Sequence, residues 1–101
     1  MLAIPRKEKR EKTSKQMERH FKGVANHHRI AILLLVKKND KITVDEIADT
    51  LDSNLKTISE HTRRLVQAGL VTKQYKGRKV THSLSPYGRT FVSFITTFSH
   101  S

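Results

Sequence analysis

Cysteine is absent from this 101-residue chain. Without a thiol there is no disulfide framework, no thiolate metal ligand and no redox pair. Tryptophan is absent as well, and the basic residues do not alternate with an interfacial face of large apolar side chains, which weighs against a membrane-surface role. Acidic residues are scarce: nine Asp and Glu stand against 20 Lys and Arg, a formal charge of +11. Past Glu60 there is no acidic side chain at all, whereas Arg63, Arg64, Lys73, Lys76, Arg78, Lys79 and Arg89 all lie beyond it. One sign of charge spread over consecutive elements is the footprint of a phosphate-binding face, with plain solubility as the blander reading. The longest apolar run, residues 30–36, is far too short to cross a bilayer. The first 16 residues turn charged after five and hold no apolar stretch of signal-peptide length, so the expected location is the cell interior, in the cytoplasm. No enzyme is expected. The chain has no cysteine nucleophile, no paired carboxylates in an apolar setting and no glycine loop built to cradle a phosphate.

What is present is most informative over residues 43–71, which read as two helices of unequal length joined by a polar turn. Val44, Ile47, Ala48 and Leu51 fall at i, i+3, i+4 and i+7, one apolar stripe of a helix. Thr43 and Glu46 have the spacing of a capping box. Asp52-Ser53-Asn54 is turn chemistry, and Asn54 is a good N-cap for the helix that follows. In that second helix Ile58, Thr62, Leu65 and Val66 point inward, and Gly69 stands where a left-handed C-cap belongs. Short helix, turn, longer helix and glycine stop make the helix-turn-helix plan, whose second helix can enter a DNA major groove.

The flanks extend it. Residues 1–7 read as a loose basic arm and residues 8–101 as one domain with a modest core. Residues 7–21 are free of Pro and Gly and carry Glu8/Lys12, Glu11/Lys15 and Glu18/Lys22 at i, i+4, which predicts a helix whose thin apolar face, Met17 and Phe21, needs a neighbour. Asn26 can cap a second helix, and residues 29–38 are apolar nearly all round, the pattern of a buried central helix. Lys41-Ile42-Thr43 suggests a short strand. Residues 71–75 and 80–84 are β-type segments about the basic turn Lys76-Gly77-Arg78-Lys79. Ser85-Pro86 then sets an N-cap and a proline at the first helical position. The last helix carries Tyr87, Phe91, Phe94, Ile95 and Phe98 as one aromatic stripe. The expected fold is mainly α with a small β-hairpin, a winged helix-turn-helix in the order α-α-β-α-α-β-β-α.

These segments resemble the ArsR-type repressors. Ala25-Asn26-His27-His28-Arg29-Ile30-Ala31-Ile32-Leu33 is similar to the family's A-[DNS]-P-T-R-[LI]-x-I-L, and residues 51–61 to its L-G-V-S-x-S-T-V-S-x-H. Residues 65–71 resemble its L-x-x-A-G-L-V, and Lys76-Gly77-Arg78-Lys79-Val80 its wing tip. Leu84-Ser85-Pro86-Tyr87-Gly88-Arg89 looks like the L-T-P-x-G-R of the related MarR-type proteins. The resemblance covers roughly residues 20–90 and implies a DNA-binding transcriptional regulator. The chain departs from the pattern at the turn glycine (Asp52), the turn valine (Ser53) and a buried leucine (Thr62). Where metal-sensing members carry C-V-C this chain has Thr43, Val44 and Asp45, and residues 86–99 contain no Asp, Glu or His. No metal site and no cofactor are expected, and no polar cluster defines a small-molecule effector.

The residues divide into two sets. Asn54, Leu55, Lys56, Thr57, Ser59, Glu60, Arg63 and Arg64 would form the DNA-facing side of the recognition helix. Lys56 can donate to guanine, Glu60 can accept from cytosine N4, and Leu55 or the Thr57 methyl can touch thymine. Ser59, Arg64 and the Asn54 backbone suit phosphates, and Glu60 has the alternative of restraining a basic neighbour. Lys76, Arg78 and Lys79 at the hairpin tip would grip the backbone or reach the minor groove. The second set, Met17, Phe21, Tyr87, Phe91, Phe94, Ile95 and Phe98, either closes the core or forms a subunit interface; a 101-residue domain already supplied with a core favours the interface. The family resemblance implies the same two-fold pairing of first and last helices, hence a homodimer on a pseudo-palindromic operator. Of the six histidines, His27 and His28 are adjacent, His61 matches a histidine of the family motif, His82 lies in a wing strand and His20 and His100 sit near the ends; a structural or incidental role is favoured over metal binding. The expected partners are double-stranded DNA and a second copy. A nonspecific architectural DNA- or RNA-binding protein, or a winged helix used only for protein contact, are the alternatives.

Overall fold

A computed structural model describes residues 11–101. Its elements are α1 (Ser14–Val24), α2 (His27–Lys38), α3 (Val44–Thr50), α4 (Leu55–Gln67), β1 (Val71–Lys76), β2 (Lys79–Leu84) and α5 (Pro86–Ser99). The expected arm over residues 1–7 lies outside the described residues, as does Glu8 of the first charge pair.

The first helix begins later than its charge pattern suggested. Residues 11–13 are not helical, because Thr13 is an N-cap: its hydroxyl accepts the Gln16 N–H at 3.1 Å, and the Gln16 side chain accepts the Thr13 N–H at 2.9 Å. This capping box fixes the start, so Glu11 is off the helix and cannot make its i, i+4 pair. Of the expected pairs, only Glu18–Lys22 forms among the described residues, at 3.0 Å and exposed, where such a pair contributes little. The helix also runs on past Phe21 to Val24.

The remaining starts and stops follow the side chains expected of them. Asn26 accepts the N–H groups of His28 and Arg29 ahead of α2. Thr43 and Glu46 make a reciprocal capping box on α3. Asn54 accepts the Thr57 N–H at 3.1 Å, and Ser85 accepts that of Gly88 at 2.9 Å above Pro86. At the end of α4, Gly69 takes φ +77°, the Leu70 N–H reaches the Leu65 carbonyl at 3.0 Å and the Gly69 N–H that of Val66 at 3.0 Å. These are the two bonds of a Schellman stop. The same two bonds close α3, from Ser53 to Ala48 at 2.9 Å and from Asp52 to Asp49 at 3.1 Å. Asp52 holds φ +50° there, so the turn is left-handed without the family's glycine, aspartate being among the residues that visit that region most readily.

α2 runs through the middle and buries Ile32, Leu33, Leu35 and Val36 against Ile47, Ile58, Leu65, Leu70 and Val92. β1 and β2 pair antiparallel from Val71↔Leu84 to Lys76↔Lys79. The strand suggested at Lys41–Thr43 reduces to a single bridge, Ile42↔His82. The His82 backbone N–H donates to the Ile42 carbonyl at 2.8 Å, and its ring Nδ1 donates to the same oxygen at 3.1 Å. That pair of hydrogen bonds anchors the hairpin to the loop before α3. The fold is therefore mainly helical with a two-stranded wing, as expected.

Candidate nucleic-acid interface

The amphipathic pattern of α4 decides which of its side chains are available. Ile58, Thr62 and Leu65 are buried, which turns Leu55, Lys56, Thr57, Glu60, Arg63 and Arg64 outward and leaves Ser59 half-buried at the edge. Asn54 is exposed but its side-chain oxygen is committed to the cap. Glu60 holds two arginines. Arg63 reaches its two carboxylate oxygens at 2.9 and 2.7 Å, and Arg64 Nε donates to the second at 2.9 Å. These bonds, Arg63 first and Arg64 next, keep the Glu60 carboxyl below the ordinary range. Among the described residues Lys56 has no such ion pair.

The hairpin turn is built by Gly77, whose φ of +65° at the first turn position, with no positive φ at Arg78, is the II′ arrangement that calls for glycine there. It lifts Lys76, Arg78 and Lys79 into solvent at the tip. Between α3, α4 and the wing lies a cleft of about 610 Å³ lined by Ser59, Arg63, Lys73, Arg78 and Lys79, with Asp45 and Glu46 on its far wall. The cleft thus brings Ser59 and Arg63 of the expected helix set together with Arg78 and Lys79 of the wing, whereas Asn54, Leu55, Lys56, Thr57, Glu60, Arg64 and Lys76 do not line it. Lys73 was counted from sequence only among the basic residues past Glu60, and Tyr75 was given no DNA-facing role. The period of two along β1 puts both on the sheet face shared with Val80 and His82, turned toward this cleft. Tyr75 is 70% exposed, and the Lys73 ammonium stands 5.9 Å from its ring centre. The available signal was that alternation, masked because every residue of β1 after Val71 is polar or aromatic.

The second set gathers on the opposite helices. Phe21 packs edge-on to Phe91 at 5.1 Å between ring centres, and Phe94 stacks on Phe98 at 5.6 Å. Phe91 and Ile95 are partly buried against the core, whereas Met17, Phe21, Tyr87, Phe94 and Phe98 stay exposed, Phe98 at 66%. An apolar groove of about 360 Å³ runs between α1 and α5, lined by Met17, Phe21, Tyr87, Phe91 and Phe94 with Lys12 at its rim.

The histidines fall into structural places. His28 of α2 stacks on His61 of α4 at 5.0 Å and 22°, and its neighbour His27 lies 4.1 Å from His28. Burial pushes the His61 ring's pKa down, helped by Arg29 and His28, and burial likewise lowers that of His82. Among the described residues no three His, Cys, Asp or Glu side chains are grouped to hold a metal ion. Nor is any described helix long and apolar enough to cross a membrane.

Residues 26–72, from the cap of α2 to the start of β1, match the family described as "Winged helix-turn-helix DNA-binding". Over those residues the chain is similar to a winged helix-turn-helix DNA-binding domain. Its likeness runs to the ArsR group. The arsenical resistance operon repressor of Escherichia coli (strain K12) is 31% identical over 67 residues, 66% of this chain. The chain spans 57% of the length of that repressor. Among solved structures, HlyU from Vibrio cholerae N16961 superposes with a TM-score of 0.79 at 24% identity, over 90% of this chain and 99% of that one, which speaks for the winged-helix fold. The homodimeric winged helix-turn-helix DNA-binding domain of a possible ArsR-family transcriptional regulator from Mycobacterium bovis gives 0.76 at 26% identity, over 85% of this chain and 80% of the other. Within the winged-helix fold, α4 takes the place of the second helix of the helix-turn-helix and the β1–β2 hairpin that of the wing.

Proposed function

We propose that the protein is a homodimeric, sequence-specific transcriptional regulator of the ArsR type, a repressor that occupies a pseudo-palindromic operator in double-stranded DNA. The observation that carries this reading is the separation of two faces on one small domain. The cationic α4–wing face and the aromatic α1–α5 face use different elements and share no residue. An aromatic face this exposed is a patch that soluble monomers avoid. Pairing it with a second copy about a two-fold axis presents two recognition helices together, the arrangement read by an inverted repeat. The homodimeric Mycobacterium bovis domain supports that pairing.

On this reading the first turns of α4 face base edges. Lys56 donates to guanine, Leu55 and the Thr57 methyl contact thymine, and Glu60 is available to cytosine only when its arginines are engaged elsewhere. Ser59, Arg63, Arg64 and the backbone at Asn54 hold phosphates, and Lys76, Arg78 and Lys79 clamp the flanking backbone. Lys73 lines the same cleft, and Tyr75 stands exposed beside it on the same sheet face.

Selection of binding sites from random duplexes at near-physiological salt tests the proposal. A two-fold symmetric enriched motif is expected. Strong, salt-dependent binding without enrichment would make the protein architectural instead. Sedimentation at micromolar concentration should give a dimer, and a monomer would remove the aromatic face from the scheme.

A further inference from the structure

His20 was legible in the sequence only as a histidine near one end. In the structure it is 6% exposed and its Nδ1 lies 2.6 Å from the carbonyl oxygen of Ala68, the C-cap residue of the recognition helix. A carbonyl only accepts, so Nδ1 carries the proton and donates. The next carbonyl, that of Gly69, accepts from the Ser85 hydroxyl at 2.6 Å. The one after, that of Leu70, accepts the Ser85 backbone N–H at 3.0 Å. Three consecutive carbonyls at the foot of α4 are therefore each held by a group from α1 or from the N-cap of α5, the two helices of the aromatic face. Contact is close enough to exclude side chains. A Cβ at Gly23 of α1 would collide with the Ala68 methyl, and one at Gly69 would lie 2.9 Å from the Arg19 guanidinium. The His20 ring also packs 5.0 Å from that of Tyr87 on α5.

These bonds are not needed to form α4, whose end is already closed by its own Schellman bonds. What they fix is the direction in which α4 leaves the α1–α5 platform. We propose that His20, with Ser85, is a positioning residue for operator recognition: it sets the separation and phase of the two recognition helices, and so the half-site spacing the dimer accepts. This rests on the dimeric, sequence-specific reading above. One added base pair moves a half-site by about 3.4 Å and turns it by about 35°. A stiff junction rejects such a change, and a loosened one follows it.

The experiment is site selection on the full chain, followed by affinity measurement on the selected operator with its centre lengthened or shortened by one base pair. For the unaltered protein a loss of about tenfold or more is expected for either change, comparable with one mismatched base pair. His20→Leu should shrink that loss to about threefold or less while the half-site sequence stays the same, since α4 itself is untouched. His20→Asn, whose amide nitrogen can take the place of Nδ1, should restore the discrimination. A role confined to stability would lower the melting temperature of His20→Leu without moving the spacing preference, and that result overturns the proposal. Should His20→Leu fail to fold, Ser85→Ala, which removes the bond to Gly69, carries the same expectation and the same refutation. Absence of any symmetric motif for the unaltered protein would sink the dimeric reading itself, an outcome distinct from an unchanged spacing preference in the variants.

Discussion

Gly88→Ala is the sharpest test of how the platform meets the reading head. Gly88 is buried in the first turn of α5, and a Cβ there would collide with the Leu70 carbonyl oxygen, with the Leu70 carbonyl carbon at 3.1 Å and Leu84 Cδ2 at 3.4 Å behind it. The obstacle is backbone that is held from both sides. Leu70 donates its N–H to Leu65 at 3.0 Å and accepts that of Ser85 at 3.0 Å. Two effects oppose each other. Replacing a helical glycine by alanine gains about 1 kcal/mol of helix propensity. Forcing a methyl into a closed contact costs about 1–3 kcal/mol, occasionally more, and displacing the Leu70 oxygen loses the Ser85 bond, about 1 kcal/mol. Because the clash is with fixed backbone, the upper end of the strain applies, and the net is a loss of about 2–3 kcal/mol. Against a total of about 5–15 kcal/mol for a chain of this size, that is a large share. The melting temperature should fall by roughly 10–20 °C, read by circular dichroism, with a matching drop in the urea midpoint. Gly77→Ala is the control: open space surrounds it, and only its φ of +65° resists, a cost of about 1 kcal/mol. A Gly88→Ala protein as stable as the parent, or more stable, would refute the packing argument.

Four further outcomes are expected. Arg78→Ala should weaken binding to every duplex alike and lower the slope of log affinity against log salt by about one; an unchanged slope removes the wing tip from the interface. Lys56→Ala should instead change preference among sites, by about 1–3 kcal/mol at one base pair, and uniform weakening would make Lys56 a phosphate contact. Thr62 is 2% exposed and its hydroxyl has no hydrogen-bond partner among the described residues, so Thr62→Val should raise stability by about 1 kcal/mol without altering DNA affinity, and a fall in the urea midpoint would contradict this. His61 and His82 both have lowered pKa values in the fold, His61 through burial, Arg29 and His28, and His82 through burial. The unfolded chain therefore takes up protons that the folded one refuses. Stability is fully present above the ordinary histidine value, about 6.5, and is lost as pH falls from there toward the depressed folded values. Urea midpoints measured between about pH 7.5 and pH 5 should decline, less steeply for His61→Gln, and a flat profile would deny the shift.

Local chemistry was legible in the sequence, and contacts between distant segments were not. Thr43 with Glu46, Asn54, Gly69, Gly77 and Ser85-Pro86 each act within a few residues, so the spacing of side chains carries the information, and each sits as read. The start of α1 misled because opposite charges four apart are compatible with a helix but do not nucleate one; Thr13 and Gln16 do. Thr43 aside, the loop before α3 gave a weak β signal, and it becomes a single bridge from Ile42 to His82, 40 positions further along the chain. His20 and Ala68 are 48 residues apart, and no periodicity along the chain marks them as partners. The glycine of Leu84-Ser85-Pro86-Tyr87-Gly88 was noticed through resemblance alone; its reason, the Leu70 carbonyl, belongs to another segment.

Glu60 shows how one residue can look like two. As the last acidic side chain in the sequence, it stands on the outward face of α4 at a position where a carboxylate can accept from cytosine. In the free protein its two oxygens are taken by Arg63 and Arg64. Those pairs are about half exposed, which limits their worth to about 0–1 kcal/mol, so they do not bind the arginines against competition. A DNA phosphate offers each guanidinium a bidentate acceptor of the same charge. The two long side chains meanwhile wait in an ordered fan, their rotamer freedom already restricted, so less is lost on binding than for solvated arginines. Exchange of the arginines from Glu60 to phosphates leaves the carboxylate unpaired beside the groove, where an unmatched charge is costly unless a base donor meets it. A cytosine amino group does so; a thymine or guanine oxygen at that position repels it. If α4 reads base edges as proposed, gripping and reading are linked through a single carboxylate, with Arg63 and Arg64 setting the condition under which Glu60 discriminates between bases.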